Sequence, residues 1–214
     1  MISLKQIPFT YHWIIRNAMG GDVKTVLDLG CGEGNFMKDI ARDENWIITG
    51  VELYTPSLEK AVKTGVYEKV IKGDVIKLPK TISQKKYDIV FVSQVLEHLK
   101  KSDGKKALEL WQKLAVKKLI VSTPVGFIEF DPIEESHEKN PLQKHQSGWQ
   151  PEEFVKLGFE VCGQGARFVY GENGLARALP AILPFWSMVA FLFSPFVYLF
   201  PNTGLYMIAL KRIK

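Results

Sequence analysis

The alternation of short apolar runs with amphipathic segments, repeated through the first two-thirds of the chain, is the feature that most restricts the fold. Each apolar run is continuous, and a strand without a polar face has to be buried on both sides of its sheet. The predicted strands in this part are 25–29, 46–51, 70–73, 87–92 and 119–122. Helices are predicted between them over 33–42, 56–63 and 103–115. Repeats of this kind give parallel strands joined by right-handed crossovers.

The last third of the chain continues the pattern less regularly. A polar loop over 125–148 leads to a short helix predicted at 151–157, a strand at 159–169 and a closing strand at 204–213. An almost wholly apolar segment, 178–201, separates these two strands. The sequence therefore predicts an α/β fold with a doubly wound, mostly parallel, seven-stranded Rossmann-like sheet in one domain, 1–214. The apolar segment is predicted to be a helical insertion before the last strand.

Composition narrows the classes of partner and the cellular compartment. The 214 residues are 46% hydrophobic and carry a net charge of +5, spread without clusters. A surplus so small and scattered predicts no nucleic-acid partner. The two cysteines, Cys31 and Cys162, form neither a disulfide framework nor a metal spacing, which favours a reducing cytoplasm. The first residues lack the apolar core of a signal peptide, so a cytoplasmic location is predicted.

A glycine-rich loop follows the first predicted strand in the run VLDLGCGEGNF, residues 26–36. Gly30, Gly32 and Gly34 permit backbone angles that other residues avoid, and they let a ligand lie against the chain. Their spacing is G-x-G-x-G, whereas the dinucleotide fingerprint is G-x-G-x-x-G. Asp28 and Glu33 would repel a pyrophosphate at the start of the following helix. The loop thus favours a ligand that carries an ammonium group, which Asp28 would attract.

This run resembles motif I of the class I S-adenosylmethionine-dependent methyltransferases, and later motifs follow in that family's order over roughly the first 170 residues. The resemblance implies S-adenosyl-L-methionine as the cofactor. It also implies a set of cofactor-binding residues: Asp28, Gly30, Cys31, Gly32, Gly34, Asn35, Phe36, Glu52, Leu53, Asp74, Val75, Ser93 and Gln94.

Several of these residues take particular roles from the resemblance. Glu52, at the end of the second strand, is expected to accept both ribose hydroxyls, and Leu53 to pack on the adenine. Asp74 is expected near the adenine amino group, although an Asp after a strand also forms Asx-turns. Ser93 to Val95 would border the methionine part and the reacting sulfonium.

Histidines are the candidate bases for an acceptor whose proton must be removed. His98 is expected nearest the methyl group, while His137 and His145 lie on the polar loop after the fifth strand. We predict His98 and His145 as catalytic residues. Resemblance to quinone-type O-methyltransferases would allow a divalent metal at Glu97 and His98. Two adjacent side chains are a weak metal signal, however, and the sequence favours structural groups without a metal.

The insertion is the largest departure from the family. No charged residue lies between Arg177 and Lys211, and residues 179–200 are long enough to cross a bilayer. Four prolines in 180–201 argue against one continuous helix. Three interpretations compete: an interfacial hairpin that admits a lipid-like acceptor, a transmembrane anchor, and a hydrophobic cover or oligomer surface. We favour the first, with aromatic residues at the interface and Lys211, Arg212 and Lys214 near anionic headgroups.

The leading hypothesis is a methyltransferase acting on a lipid, quinone or other hydrophobic small molecule, peripheral to a membrane. Alternatives are a soluble small-molecule or protein methyltransferase and a non-catalytic subunit that retains the cofactor fold. The sequence does not name the acceptor atom, but Ser93-Gln94-Val95-Leu96 stands where amino-methylating enzymes carry Asn/Asp-Pro-Pro-Tyr, which lowers the expectation of base N-methylation.

Overall fold

One sheet organises the chain, whose computed structural model describes residues 3–131 and 140–213. The seven strands are β1 Thr25–Leu29, β2 Ile47–Glu52, β3 Lys69–Lys72, β4 Tyr87–Ser93, β5 Ala115–Pro124, β6 Glu160–Ala166 and β7 Gly204–Arg212. They lie in the order β3-β2-β1-β4-β5-β7-β6. Neighbours pair in parallel except β7, which is antiparallel to both β5 and β6. The predicted Rossmann-like, mostly parallel, seven-stranded sheet is confirmed.

Helices cover both faces of the sheet. They are α1 Tyr11–Met19, α2 Asn35–Ile40, α3 Thr55–Lys63, α4 Lys80–Ser83, α5 Lys101–Leu114, α6 Pro151–Lys156, α7 Arg167–Tyr170, α8 Leu175–Ala178, α9 Leu183–Leu192 and α10 Ser194–Leu199. On one face Trp111, Trp149 and Phe154 are fully buried. On the other, Ile15 and Met37 pack with the opposite side of the same strands. Because β1, β2 and β4 are parallel, their carboxyl ends meet at one edge, where the motif residues gather.

Several predicted bounds are wrong for identifiable reasons. The helix predicted from residue 33 begins at Asn35, because Gly34 takes a left-handed conformation, φ +78°, at the position before the first turn. Strand β5 begins at Ala115, not at residue 119. Residues 117 and 118 are polar and interrupt the apolar pattern of the sequence, but the strand continues through them. The Lys118 ammonium group donates to the carbonyls of Ala18 and Met19, which makes its place in the strand possible.

Two further elements differ from the prediction. The strand expected over 159–169 ends at Ala166, and Arg167–Tyr170 turns into helix α7. Helix α1 was not predicted at all. It is held by Thr10, whose hydroxyl accepts from the Trp13 N–H, and by burial of Ile15 and Met19.

The apolar insertion between β6 and β7 is helical, as predicted. Helices α9 and α10 each carry a proline in the first turn, where the missing N–H has no intrahelical partner to lose. In the described residues no single helix is long and apolar enough to span a bilayer. One pair, Arg167–Ala178 with Pro180–Leu192, meets the length and composition together but is bent by 114°. A small core, which includes Val169, Ala190 and Val197, joins the insertion to the sheet.

Candidate active site

A pocket of about 470 Å³ opens at the carboxyl edge of β1, β2 and β4, within the range of small-molecule sites. It brings together eleven of the thirteen residues predicted to bind the cofactor: Asp28, Gly30, Cys31, Gly32, Phe36, Glu52, Leu53, Asp74, Val75, Ser93 and Gln94. Gly34 and Asn35 do not line it. Gly34 shapes the start of α2, and the Asn35 side chain donates to the Glu33 carboxylate.

The glycine loop combines positive φ angles with close packing. A Cβ atom on Gly30, φ +72°, would lie 2.4 Å from a methyl of Val95. At Gly32, φ +55°, a Cβ atom would meet nothing within 4 Å, because this glycine faces the open pocket. Gly30 is therefore required by protein packing, whereas the space above Gly32 is available to a ligand.

Asp28 is a buried carboxylate at the base of the pocket, with 4% of its surface exposed. The Tyr67 hydroxyl donates to its Oδ2 at 2.8 Å. Burial raises the pKa of Asp28 to about 7; the Tyr67 hydrogen bond partly opposes this shift, and the nearby Glu52 charge adds to it. Burial also raises the pKa of the neighbouring Cys31 thiol. A cationic group in the pocket would favour the ionised form of Asp28.

Glu52 is fixed by the backbone on both sides. Its Oε2 accepts the Gly32 N–H at 2.9 Å and its Oε1 accepts the Tyr54 N–H at 2.8 Å. The side chain is buried yet lines the pocket. Each carboxylate oxygen keeps acceptor capacity beyond one hydrogen bond, so a diol can still be bound.

Asp74 forms an Asx-turn at the edge of the pocket. Its Oδ1 accepts the Ile76 N–H at 2.8 Å, which is an Asx-turn, and the residue also lines the pocket with Val75. Leu53, 40% exposed, forms another part of the same wall. The Asx-turn therefore places the Asp74 carboxylate and the Val75 side chain on the pocket wall that Leu53 also forms.

The end of β4 forms the opposite wall of the pocket, and Tyr11, a residue that the sequence did not indicate, contacts this wall. Gln94 adopts φ +54°, and its backbone N–H donates to the Ser122 carbonyl. The Ser93 hydroxyl lies 2.6 Å from the Tyr11 hydroxyl, and Tyr11 packs on Phe36 with ring centroids 5.1 Å apart. Burial raises the pKa of Tyr11 to about 12. Nothing local in the sequence marks Tyr11, because its partner is 82 positions away.

A second polar cluster lies beside the pocket. Glu97, His98 and His145 each offer a ligand atom, and these atoms lie within 4.8 Å of one another. His98 lines the pocket, and the rings of His98 and His145 are 5.1 Å apart. Burial raises the pKa of Glu97 to about 7, and burial followed by the charge of His145 lowers the pKa of His98 to about 4. The two predicted catalytic histidines are thus neighbours.

The loop after β5 supplies more of this wall than the sequence suggested. Residues 140–143 and Gln146 line the pocket, and the Gln146 side chain donates to the His98 carbonyl at 2.7 Å. The Trp149 indole is buried in the core, where its N–H donates to the Ser147 hydroxyl. The third candidate base, His137, lies outside the described residues.

The strand order, the antiparallel last hairpin and the ligand-sized pocket at the glycine loop together define a class I methyltransferase fold. Residues 26–117 match a family model described as a methyltransferase domain. The fold and this match over part of the chain support an S-adenosylmethionine-dependent methyltransferase, an enzyme whose cofactor is S-adenosyl-L-methionine, and they are consistent with class I.

Solved structures agree with this fold. The methyltransferase domain of bacterial CtHen1-CN has 18% identity and a TM-score of 0.57, covering 99% of this chain and 100% of that one. A SAM-dependent methyltransferase from Archaeoglobus fulgidus has 16% identity and a TM-score of 0.57, covering 94% of each chain. Magnesium protoporphyrin IX methyltransferase from Synechocystis PCC 6803, with bound SAH, has 14% identity and a TM-score of 0.54, covering 94% of this chain and 79% of that one. No curated protein matches the sequence.

Proposed function

We propose that this enzyme methylates a lipid-like or other hydrophobic small molecule while its insertion is docked on a membrane surface. The proposal rests on one observation: the insertion is uncharged and exposed, and it lies at the same edge of the sheet as the reaction pocket. The cofactor end of the pocket supplies the methyl group, and the loop after β5 receives the acceptor.

In the proposed orientation the cofactor spans the three strand ends. Asp28 attracts the ammonium group of the methionine part, and Glu52 accepts the ribose hydroxyls beside Leu53. Asp74 and Val75 take the adenine. Gly32 faces empty space, so the ligand can lie directly on the loop. Ser93 and Gln94 then border the sulfonium, on the side where His98 enters the pocket.

The reaction needs alignment more than activation, because the methyl group is already bound to a positively charged sulfur. The acceptor atom donates an electron pair to the methyl carbon, and the carbon–sulfur bond breaks with its pair going to sulfur. The sulfonium becomes the neutral thioether S-adenosylhomocysteine, and a protonated acceptor releases its proton to a base or to water. His98 is the candidate base that faces the pocket, while His145 contacts His98 from behind.

The insertion presents an apolar surface of unusual extent. Eleven large apolar side chains between 179 and 200 are 45–70% exposed, among them Phe191, Phe193 and Phe196. Monomeric soluble proteins rarely expose contiguous apolar patches of this kind unless the patch binds something. Burying one such side chain fully contributes about 1.5–3 kcal/mol, so a few of them suffice for reversible membrane binding.

The insertion leaves and rejoins the sheet on the same edge as the pocket. Arg167, the first residue of α7, donates to the Val125 carbonyl immediately after β5. A second cavity there is lined by Phe168, Phe193 and Phe196 together with Arg167 and Thr203. An acceptor held in the membrane therefore has a short path along this edge to the loop that carries His145.

The basic tail was expected to add an electrostatic attraction to anionic lipids, and the geometry argues against this. Arg212 pairs with Glu160, and Lys211 donates to the Leu157 carbonyl. Both lie near the end of β7, about 23 Å along the strand from Gly204, where the insertion ends. Lys214 lies outside the described residues. Membrane binding is therefore expected to depend on apolar contact, with little sensitivity to salt.

The experiment for the membrane proposal is co-sedimentation with phosphatidylcholine vesicles. The combined substitutions Phe191→Ser, Phe193→Ser and Phe196→Ser should weaken partitioning at least tenfold, because three exposed rings no longer enter the bilayer. Binding of S-adenosylhomocysteine should stay unchanged, since none of the three rings lines the cofactor pocket.

A matched control replaces Val62, Val116 and Val155 with serine, since these are 51–58% exposed on other surfaces. The control should partition like the wild type. If the wild-type protein ignores vesicles and is monomeric, the insertion is a cover and the membrane proposal fails. If it ignores vesicles and forms a dimer that the phenylalanine substitutions dissociate, the insertion is an oligomer surface.

The acceptor is sought with labelled S-adenosylmethionine and two extracts, total lipid and water-soluble metabolites. Label transferred to the lipid fraction supports the proposal. Label found only in soluble metabolites or protein favours the alternative of a soluble-substrate enzyme. Cofactor binding without transfer to any extract favours a non-catalytic subunit.

A further inference from the structure

We propose that the cavity between α7 and the insertion binds the apolar chain of an amphiphile that contains a phosphate, with Arg167 on the phosphate, and that this amphiphile is the methyl acceptor. The cavity has a volume of about 560 Å³, within the range of small-molecule sites. It shares no lining residue with the cofactor pocket. The acceptor role rests on the proposed methyl transfer at a membrane, but binding of the chain does not.

Three aromatic side chains from different elements form the walls of the cavity. Phe168 belongs to α7, Phe193 follows the last residue of α9, and Phe196 belongs to α10. The Phe168 and Phe193 rings meet edge to face, with centroids 5.4 Å apart. All three side chains are between 42% and 49% exposed. An extended apolar chain between them is contacted from several sides, which removes more apolar surface from water than contact with a flat face.

The wall formed by α10 is held in place by the sheet. A Cβ atom on Gly163 of β6 would lie 2.3 Å from the Val197 carbonyl oxygen and 2.8 Å from the Cα atom of Pro201. A glycine is therefore required where α10 lies against β6, and Val197 is 1% exposed there. Phe196 immediately precedes Val197, so its backbone is fixed by the same packing. The cavity is thus a consequence of how α10 packs on the sheet.

Arg167 places a positive charge on this apolar cavity. Its guanidinium donates to the Val125 carbonyl, which uses one of its five N–H donors. No carboxylate among the described residues forms an ion pair with it. The Thr203 hydroxyl, also on the cavity, already donates to the Phe200 carbonyl at 2.7 Å. Of the described residues that line the cavity, Arg167 is therefore the one whose side chain can donate to an anion.

The anion that best fits this arginine is a phosphate. A guanidinium is planar and binds two phosphate oxygens at once through parallel hydrogen bonds. Apolar walls beside the charge exclude water, and an ion pair in such surroundings is stronger than one in open solvent. Apolar walls with one cationic group match a molecule that joins an apolar chain to an anion. A neutral hydrocarbon would leave the charge of Arg167 unused, and a free anion would leave the aromatic walls unused.

The position of Arg167 also orders the parts of the acceptor. Val125, whose carbonyl it holds, begins the loop that carries His145. The His145 ring lies 2.7 Å from the carbonyl of Ile128, and the three residues from Val125 to Ile128 span at most about 11 Å. His145 in turn contacts His98 at the cofactor pocket. The phosphate therefore lies between the chain and the group that is methylated, and the inferred acceptor is a lipid whose polar head is linked through phosphate.

The test is calorimetry with dodecyl phosphate below its micellar concentration, without vesicles, on protein saturated with S-adenosylhomocysteine. Wild-type protein should bind one equivalent per chain. Dodecyltrimethylammonium lacks the anion and inorganic phosphate lacks the chain, so each should bind at least tenfold more weakly.

Substitutions at Arg167 separate its charge from its structural hydrogen bond. Arg167→Gln should weaken dodecyl phosphate binding at least tenfold, because glutamine can still donate to the Val125 carbonyl but has no charge. Arg167→Lys should restore most of the affinity. Arg177→Gln is the matched control, because Arg177 is exposed on α8 and does not line the cavity. Binding of S-adenosylhomocysteine verifies that each variant is folded.

The chain site is refuted if wild-type protein binds dodecyl phosphate no more tightly than either partial ligand, or if the folded Arg167→Gln variant binds it as wild type does. For the acceptor role, Arg167→Gln should raise at least tenfold the amount of lipid extract that gives half-maximal label transfer, with the KM for S-adenosylmethionine unchanged. An unchanged lipid requirement refutes that role. Dodecyl phosphate binding by a protein that ignores vesicles supports the chain site and refutes the membrane proposal, whereas partitioning onto vesicles without dodecyl phosphate binding does the reverse.

Discussion

Substituting Asp28→Asn should make the cofactor-free protein more stable at pH 8, although it removes a residue proposed to bind the cofactor. The reason is that Asp28 is 4% exposed and has no cationic partner among the described residues until the cofactor's ammonium group arrives. Asparagine has nearly the same shape, and its carbonyl oxygen can still accept the Tyr67 hydroxyl. The substitution thus removes the charge with little change in packing.

The magnitude follows from the pKa. Burial raises the pKa of Asp28 from 3.8 to about 7, so the folded state binds the proton more tightly than the unfolded chain. Between these two values the free energy of unfolding falls as the pH rises, because folding opposes ionisation. Integrating this linkage from pH 5 to pH 8 gives a loss of about 2–3 kcal/mol from this one group. The asparagine variant should lack that loss.

The assay is urea denaturation of both proteins at pH 5 and pH 8 without cofactor. The stability difference, variant minus wild type, should grow by about 2–3 kcal/mol between the two pH values. Other titrating groups cancel in this difference because both proteins contain them. At pH 8 the variant should also bind S-adenosylhomocysteine more weakly. If the free energy of unfolding depends on pH equally in the two proteins, the pKa of Asp28 is not raised by burial as described above.

Two predictions concern the glycine loop and the acid after β2. Glu52→Ala should weaken S-adenosylhomocysteine affinity by about 1.5–3 kcal/mol in calorimetry. Glu59→Ala is the control and should leave affinity unchanged, because Glu59 is exposed on α3. Equal affinities of the Glu52 variant and the wild type would contradict the proposed contact with the ribose. Gly32→Val should abolish S-adenosylhomocysteine binding, because the valine side chain enters open pocket space. Gly65 is the matched control, since it also has a positive φ, +70°, and a Cβ atom there would meet nothing within 4 Å. Gly65→Val should therefore cost similar stability and leave binding intact. Normal binding by the Gly32 variant would mean that the pocket is not the cofactor site.

The order of motifs along the chain was enough to predict which residues meet at one cavity. Asp28 lies near the end of β1, Glu52 ends β2 and Asp74 follows β3, and parallel strands bring their carboxyl ends to one edge. That rule depends only on local periodicity and on the direction of neighbouring strands. Eleven of thirteen predicted residues line one cavity for this reason.

Only the tertiary structure could decide which distant residues meet at that edge. The contact of Tyr11 with Ser93 and the approach of His145 to His98 join segments that carry no mutual signal, since side-chain contacts across a fold leave no period in the sequence. The same holds for the tail, where Arg212 pairs with Glu160. The sequence determined that 178–201 is apolar and broken by prolines, whereas packing of α10 against β6 decided which of its side chains stay exposed. Burial is a property of the whole fold, and composition alone does not specify it.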